Sequence, residues 1–445
     1  MDFLSGLNPQ QREAVCHLYG PLLILAGAGS GKTRVITCRI CHLIHSHGVR
    51  GNAILAVTFT NKAAKEMSQR VEGMLGRQTV QARPTISTFH SFCVRLLRRE
   101  GASLAELRPG FTPNFLIYDE DDQLAILKAA YRRLGLDDKF LAYRTALTRI
   151  SHAKNRKITP EEVYQQAKEP NAERLAVIYR HYEDGLRQAN ALDFDDLLLE
   201  AVRLLHHDAA LRQATSERYQ FLLIDEYQDT NRSQYELMRL LTACHDNVCA
   251  VGDEDQSIYG WRGADLRNIL DFEQDYPKTR TIRLEQNYRS TKNILDAASS
   301  VVAHNTERKG KWLWTNAGEG TLITLHQAAD GEREGLFIAE TIEQHLRENP
   351  KDRVAVLYRT NAQSRQIEEA LRRYNREYVV VGGLSFYQRA EVKDMLAYLK
   401  LLLCPDDPVS LTRIINKPAR GIGRATLDQL EEHARAAVCR RRRGH

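Results

Sequence analysis

LLILAGAGSGKTRV, residues 22–35, is an apolar run that breaks into a glycine-rich turn and then into Lys32-Thr33. The spacing predicts a strand, a tight loop and a helix opening over KTRVITCRICHLI, which is the setting of a phosphate-binding P-loop. The loop runs Ala26, Gly27, Ala28, Gly29, Ser30, Gly31, Lys32, Thr33, with Ala26 in the slot where the strict pattern has its first glycine. Backbone N–H groups of such a loop, with the helix N-terminus behind them, present partial positive charge to phosphate oxygens. Gly29 and Gly31 would let the backbone approach the ligand. Lys32 would reach the β- and γ-phosphates and Thr33 would hold Mg²⁺.

A metal at that site calls for a nearby carboxylate, and YQFLLIDEYQDTN (219–231) delivers Asp225 and Glu226 at the end of an apolar run. Two adjacent carboxylates repel without a cation between them. Asp225 suits Mg²⁺, while Glu226 could polarise an attacking water. A third stretch, NVCAVGDEDQSIYGWRGAD (247–265), ends an apolar run at Gly252-Asp253 and continues into a polar, aromatic and basic loop. With VTFTNKAA (57–64) these runs predict one parallel sheet with helices on both faces, and ligands bind beyond the carboxyl ends of such strands.

Composition narrows the class. The 445 residues are 43% hydrophobic and 27% charged, as in a soluble globular protein of two to four domains. No apolar run reaches the roughly 18 residues of a membrane span, and MDFLSGLNPQQ lacks the character of a signal peptide, so a cytoplasmic protein is expected. The eight cysteines form no disulfide framework; Cys38 and Cys41 read as two half-buried thiols on a helix. The formal charge of +6 includes Arg440 to Arg443, leaving 6 − 4 = +2, so bulk charge says little about nucleic acid.

Taken together, the stretches resemble the superfamily 1A DNA helicases of the UvrD/Rep/PcrA type, nearest to the PcrA branch. LNPQQREAV (7–15) resembles the family's Q motif and AGAGSGKT its usual P-loop, alanine included. TFTNKAAKEM (58–67) and TFHSFC (88–93) resemble DNA-contacting motifs. DEYQDTN, VGDEDQSIYGWRGAD, LEQNYRS (284–290) and VGGLSFYQRAEVKD (381–394) follow in the family's order. The resemblance implies that Gln11 reads an adenine edge and that the loop from Ala26 through Arg34 binds ATP. It implies that Gln256 senses the γ-phosphate, that Arg289 reaches it from a second motor domain, and that Tyr288 stacks on adenine. Lys32, Glu226, Gln256 and Arg289 would then be the catalytic set. A single-stranded DNA track is implied along Phe59, Thr60, Asn61, His90, Phe194, Tyr259, Trp261, Arg262, Arg359 and Asn361. Interleaved rings and polar groups suit a single strand, because bases stack on aromatics at about 1–3 kcal/mol each. Phe59 and Phe194 read equally as packing, and LDFDDLLLE (192–200) as an acidic helix start.

The implied architecture is α/β: a RecA-like parallel-sheet P-loop motor domain with a helical insertion, plus an incomplete second RecA-like domain. Motor domain 1A would comprise 1–88 and 190–280, insertion 1B 89–189, the N-terminal part of 2A 281–383, and the start of 2B 384–445. TLITLHQ, RVAVLYRT and YVVVGG are its strand candidates in 2A. The family's fifth and sixth motifs, with a second arginine, are not among these residues. The expectation is a truncated chain that binds ATP, Mg²⁺ and single-stranded DNA, including single-strand/duplex junctions, but hydrolyses weakly. The full activity would be 3′–5′ translocation and unwinding in repair or replication. A non-catalytic ATP- and DNA-binding module is the alternative. A small-molecule P-loop kinase is disfavoured by Trp261-Arg262 and the long insertion.

Overall fold

The computed structural model describes residues 3–76, 83–381, 386–423, 425–427, 429–430 and 433. In chain order, α1 (Pro9–Cys16) precedes β1 (Leu22–Ala26), α2 (Lys32–His47), β2 (Ile54–Thr58), α3 (Asn61–Leu75) and β3 (Thr85–Thr88). α4 (Phe89–Glu100) leads into β4 (Leu116–Ile117), α5 (Glu120–Arg133), α6 (Tyr143–Asn155), α7 (Pro160–Gln165), α8 (Pro170–Gln188) and β5 (Ala191–Leu192). The chain continues through α9 (Phe194–His207), α10 (Ala209–Arg218), β6 (Phe221–Ile224), α11 (Arg232–Leu241) and β7 (Val248–Gly252). The short α12 (Arg267–Leu270) and α13 (Phe272–Asp275) lead to β8 (Arg280–Leu284). Then come β9 (Gln286–Asn287), α14 (Lys292–Val302), β10 (Trp314–Thr315), α15 (Gly331–Glu348), α16 (Asn361–Arg373), α17 (Ala390–Leu403) and α18 (Pro408–Ile414).

Six strands form one sheet in the order β3-β2-β6-β7-β1-β8, every pair parallel. Its central strands are continuous apolar runs because both faces are covered: Leu22 through Ala26 are all fully buried. One face packs Leu23, Leu25, Leu55 and Ile224 against α4, α9 and α11. The other packs Ile24, Ile54 and Val251 against α1, α2 and α3. Each such side chain contributes about 1.5–3 kcal/mol by leaving water. This fixes the strand ends, and with them the loops that follow. β8 spans 280–284 and pairs with β1, so the expected boundary at 280/281 falls inside a strand of this sheet.

The helices α5, α6 and α8 share their own core around Tyr118, Leu127, Tyr131, Ile150 and Tyr182. The chain divides into two compact units, Met1–Gly320 with Lys400–His445, and Thr321–Leu399. In the second, α15 and α16 pack through Ala339, Ile367, Ala370 and Leu371. The three strand candidates there are not strands among the described residues. Leu325, Leu357 and Val379 stay 95%, 94% and 87% exposed. A strand needs a hydrogen-bonding neighbour, and apolar β-propensity alone supplies none. Cys38 and Cys41 are fully buried rather than half-buried, and burial pushes the Cys41 thiol up to about 12.

Candidate nucleotide and DNA site

The loop after β1 is held from several sides. Gly29 (φ 69°) and Gly31 (φ 88°) lie in the left-handed region that favours glycine. A Cβ on Gly27 would stand 2.1 Å from Leu313, and one on Gly29 2.5 Å from Asn287 and 2.8 Å from Arg289 Cβ. A side chain at Gly27 would have to displace Leu313, and one at Gly29 would have to displace Asn287 and Arg289. Ser30 Oγ donates to Gly27 O at 2.7 Å, Asn287 Nδ2 donates to Ala28 O at 2.7 Å, and Tyr288 N donates to Gly29 O at 2.9 Å. Ala26 closes β1 fully buried, where a small side chain suffices.

Gln11 lies against the loop. It is 2% exposed, accepts from Asn8 N at 3.1 Å and donates from Nε2 to Ser30 O at 2.8 Å. It completes a capping box with Asn8 at the start of α1 and props the P-loop beside which an adenine would lie. Tyr288 is 56% exposed, with its hydroxyl between Asn8 Nδ2 (3.0 Å) and Gln286 Oε1 (2.8 Å), leaving a ring at the surface beside the loop. Arg289 is exposed and Arg34 reaches toward Ser5 O.

Lys32 and Thr33 open α2. Lys32 Nζ stands 3.8 Å from Glu226 Oε2, across from the end of β6. Glu226 has φ 52° and ψ 46°, a conformation costly for a residue with a Cβ, and such strain clusters at functional sites. The reversal turns its carboxylate toward Lys32, where Gln228 Nε2 donates to it at 3.0 Å. Asp225 is buried, and burial, then the neighbouring Glu226, pushes its carboxyl up to about 7 while Lys32 pulls the other way. A buried carboxyl in this condition has the chemistry to take a hard divalent cation, with the Thr33 hydroxyl as a second oxygen donor. ATP and Mg²⁺ thus fit the residues present.

Beyond β7, Gln256 Nε2 donates to Asp253 Oδ2 within its own turn, and its Oε1 can still accept a further bond. Lys311, unmarked in the sequence reading, is 2% exposed and binds Asp253, Glu254 and Asp255 at 2.7, 3.0 and 2.8 Å. It comes from irregular chain, where no periodicity could signal a buried cation.

The aromatic groups follow from the same sheet edge. Phe59, after β2, is half-buried and stacks on Tyr259 with ring centroids 4.7 Å apart; Trp261, 66% exposed, lies 6.4 Å from Tyr259. Phe194 is 49% exposed at the start of α9 and meets His90 edge-on at 5.9 Å, so it is not core packing. Burial lowers the His90 pKa, leaving the ring neutral at pH 7. Asp193 and Asp196 form the capping box that starts this helix. Thr60 caps α3, and Asn61 Oδ1 accepts from Ser91 Oγ at 3.2 Å. The side chain of Arg262 lies outside the described residues, as do residues 382–385 of the VGGLSFYQRAEVKD stretch and Arg440 to Arg443. Arg359 and Asn361 belong to the second unit, where Asn361 opens α16 behind Thr360.

A wholly parallel sheet with a P-loop after β1 and an acidic strand end at β6 defines the RecA-like P-loop class of α/β protein. The UvrD/REP helicase N-terminal domain matches residues 7–277 and the UvrD-like helicase C-terminal domain matches 282–439. The chain belongs to the UvrD/REP helicase family. It is 45% identical over 432 residues to the ATP-dependent DNA helicase PcrA of Staphylococcus epidermidis, and 44% identical over 432 residues to that of Staphylococcus aureus. Each alignment covers 97% of this chain and 58% of the relative, so the chain spans little more than half the length of the relatives it matches. No helix among the described residues is long and apolar enough to cross a membrane.

Proposed function

We propose that this protein is a cytoplasmic ATP-dependent DNA helicase that moves 3′–5′ along single-stranded DNA and acts at single-strand/duplex junctions during repair or replication. The reading rests on one juxtaposition: Lys32 and Glu226 oppose each other at 3.8 Å where the sheet's strands end, and the Phe59–Tyr259–Trp261 rings leave the same edge. In this reading residues 1–88 and 190–284, through the end of β8, form motor domain 1A, 89–189 insertion 1B, 285–383 belong to 2A and 384–445 to 2B. Lys32 and the loop from Ala26 to Arg34 hold the phosphates, Tyr288 stacks on the base, and Glu226 takes the proton of the attacking water. Gln256 and Arg289 address the terminal phosphate. Thr33 and Asp225 hold Mg²⁺, which when bound neutralises phosphate charge.

Taken as 445 residues alone, the protein is expected to bind ATP and single-stranded DNA but to turn over weakly. An arginine finger contributes about 10³–10⁵ in rate, and Arg289 is the one such group this reading assigns. The second reading, binding without catalysis, is the one in which Gln256, whose Nε2 donates to Asp253, does not turn to the phosphate. ATP turnover with and without single-stranded DNA, beside Lys32→Ala, separates the two. DNA-stimulated turnover lost in Lys32→Ala supports the motor. Binding of both ligands without turnover supports the second reading. Neither ligand binding would sink both. Ready unwinding of a 3′-tailed duplex by these residues alone would refute the expected impairment.

The Asp225 carboxyl gives a pH-dependent expectation. Its folded pKa of about 7 lies above the ordinary 3.8, so the folded protein holds this proton between those values. Stability from this group is therefore lost as pH rises from about 4 to 7. Mg²⁺ needs the carboxylate and removes that penalty. The rise in melting temperature on adding Mg²⁺ should be larger at pH 8 than at pH 6, and Asp225→Asn should abolish the difference. An equal rise at both pH values would count against Asp225 as ligand.

A further inference from the structure

Asn155, the last residue of α6, gives and receives hydrogen bonds at a junction of three segments. Its Nδ2 donates to Asp195 Oδ1 at 3.0 Å and to Ser151 O at 2.9 Å, while its Oδ1 accepts from Asn231 Nδ2 at 2.9 Å. Ser151 Oγ donates to the other oxygen of Asp195 at 2.6 Å. Asn231 ends the stretch that begins with Asp225 and Glu226, and it caps α11. Asp195 follows Phe194, whose exposed ring meets His90. Gly263, in the loop bearing Tyr259 and Trp261, lies near the same side chain: a Cβ built on it would stand 3.4 Å from Asn155 Cγ. That loop is pinned where Asp265 N donates to Thr230 O at 3.0 Å.

The neighbouring residue makes the junction stiff. Lys154 is buried and bonds to Asp193 and Asp196 at the start of α9, both at 2.7 Å. The end of α6 therefore follows the start of α9. An amide bridging two polar partners is neutral and geometrically specific: a shift of Asn231 must be followed by Asn155 or it breaks the bond.

We propose that Asn155 is a positioning residue that couples the nucleotide-facing segment Asp225–Asn231 to the aromatic groups on either side, Phe194 and the Tyr259–Trp261 loop. This rests on the ATP- and DNA-binding reading above. Nucleotide state then alters the DNA track through Asn155, and by linkage DNA alters nucleotide affinity by the same factor. Asn155→Ala cuts the tie and leaves Asp195 its bond from Ser151. Asn155→Asp also places a second carboxylate against Asp195, so it should impair coupling more than alanine does.

The test is the Kd for a labelled oligo-dT, with and without a non-hydrolysable ATP analogue and Mg²⁺, in wild type, Asn155→Ala and Asn155→Asp. Nucleotide affinity without DNA and thermal unfolding are measured alongside. Wild type should show a coupling factor within the usual range of about 5- to 150-fold. In Asn155→Ala that factor should fall toward one while nucleotide affinity alone is unchanged, a split that simple destabilisation does not produce. A folded Asn155→Ala with wild-type coupling overturns the proposal. Wild type that binds both ligands without coupling overturns it while sparing the functional reading; wild type that binds neither sinks that reading and the proposal with it. If alanine prevents folding, Asn155→Ser, too short to span both partners, carries the same two outcomes.

Discussion

Glu226→Gln should keep nucleotide binding and lose about 10²–10⁴-fold in single-turnover ATP hydrolysis, the usual contribution of a positioned general base. The substitution preserves length and shape, and its amide oxygen still accepts the bond from Gln228 Nε2 that orients Glu226 at 3.0 Å. What disappears is the ability to take a proton and the negative charge 3.8 Å from Lys32. Glutamine also keeps the left-handed backbone at φ 52°, so the strain is common to both proteins and cancels in the comparison. The measurement pairs the Kd of a fluorescent ATP analogue with single-turnover hydrolysis of labelled ATP in the presence of single-stranded DNA. Hydrolysis at the wild-type rate would remove Glu226 from the chemistry. Loss of binding along with hydrolysis would instead give it a part in holding the loop.

Lys154→Met should cost about 3–5 kcal/mol of stability at neutral pH, the usual penalty for removing one partner of a buried ion pair. Lys154 Nζ donates to Asp193 and Asp196 and forms an ion pair with Glu183, each at 2.7 Å, and no more than a few per cent of the lysine, Asp193 or Asp196 side chain reaches solvent. Burial alone would lower the lysine pKa, but Asp193, Asp196 and Glu183 hold it well above its ordinary value. Methionine fills the space and leaves the carboxylates facing one another. Their folded pKa values then rise above those of the unfolded chain. Asp193 already stands at about 6 from burial and Asp196, with the lysine present. A carboxyl raised in this way takes up a proton on folding, so the deficit is full above its folded pKa and shrinks as pH falls toward the unfolded value. Denaturant titration should therefore show a larger loss at pH 7.5 than at pH 5. A variant as stable as wild type at pH 7.5 would mean that the network does not carry α6 and α9 together. Phe194 opens α9 just behind this network, so oligo-dT affinity should weaken in the same variant.

Much of the nucleotide site was legible because it is local. A strand end, a glycine-rich turn and a Lys-Thr helix start lie within fourteen residues, and steric limits on φ leave glycine the natural choice at Gly29 and Gly31. Asp225 and Glu226 were legible for the same reason, an apolar run ending in two carboxylates. Phe194 was named only through the family resemblance, since by itself a phenylalanine beside LLL reads as packing; its exposure at the start of α9 came from the structure. Lys154 did carry a signal: Ala146, Ile150 and Lys154 fall four apart on α6, on the face that is buried. That spacing predicts a lysine inside the core and hence carboxylate partners, though not which ones. Lys311 and the bond from Gln11 to Ser30 carried none, because their partners are remote in sequence or set by loop geometry.

The sequence by itself determined the strands β1, β2, β6 and β7, the loop that suits phosphate, the acidic strand end and the family to which these belong, since each depends on neighbours a few residues apart. It did not determine that TLITLHQ and RVAVLYRT lie without a ladder, because strand formation depends on a partner rather than on propensity. Only the tertiary structure decided that β6, β7 and β1 stand side by side and bring Glu226 to Lys32 across nearly two hundred residues. Only it joined Asn231 and Asp195 at Asn155. The physical reason is the same in both cases: hydrogen bonds and ion pairs act over a few ångströms in space, whatever the separation along the chain.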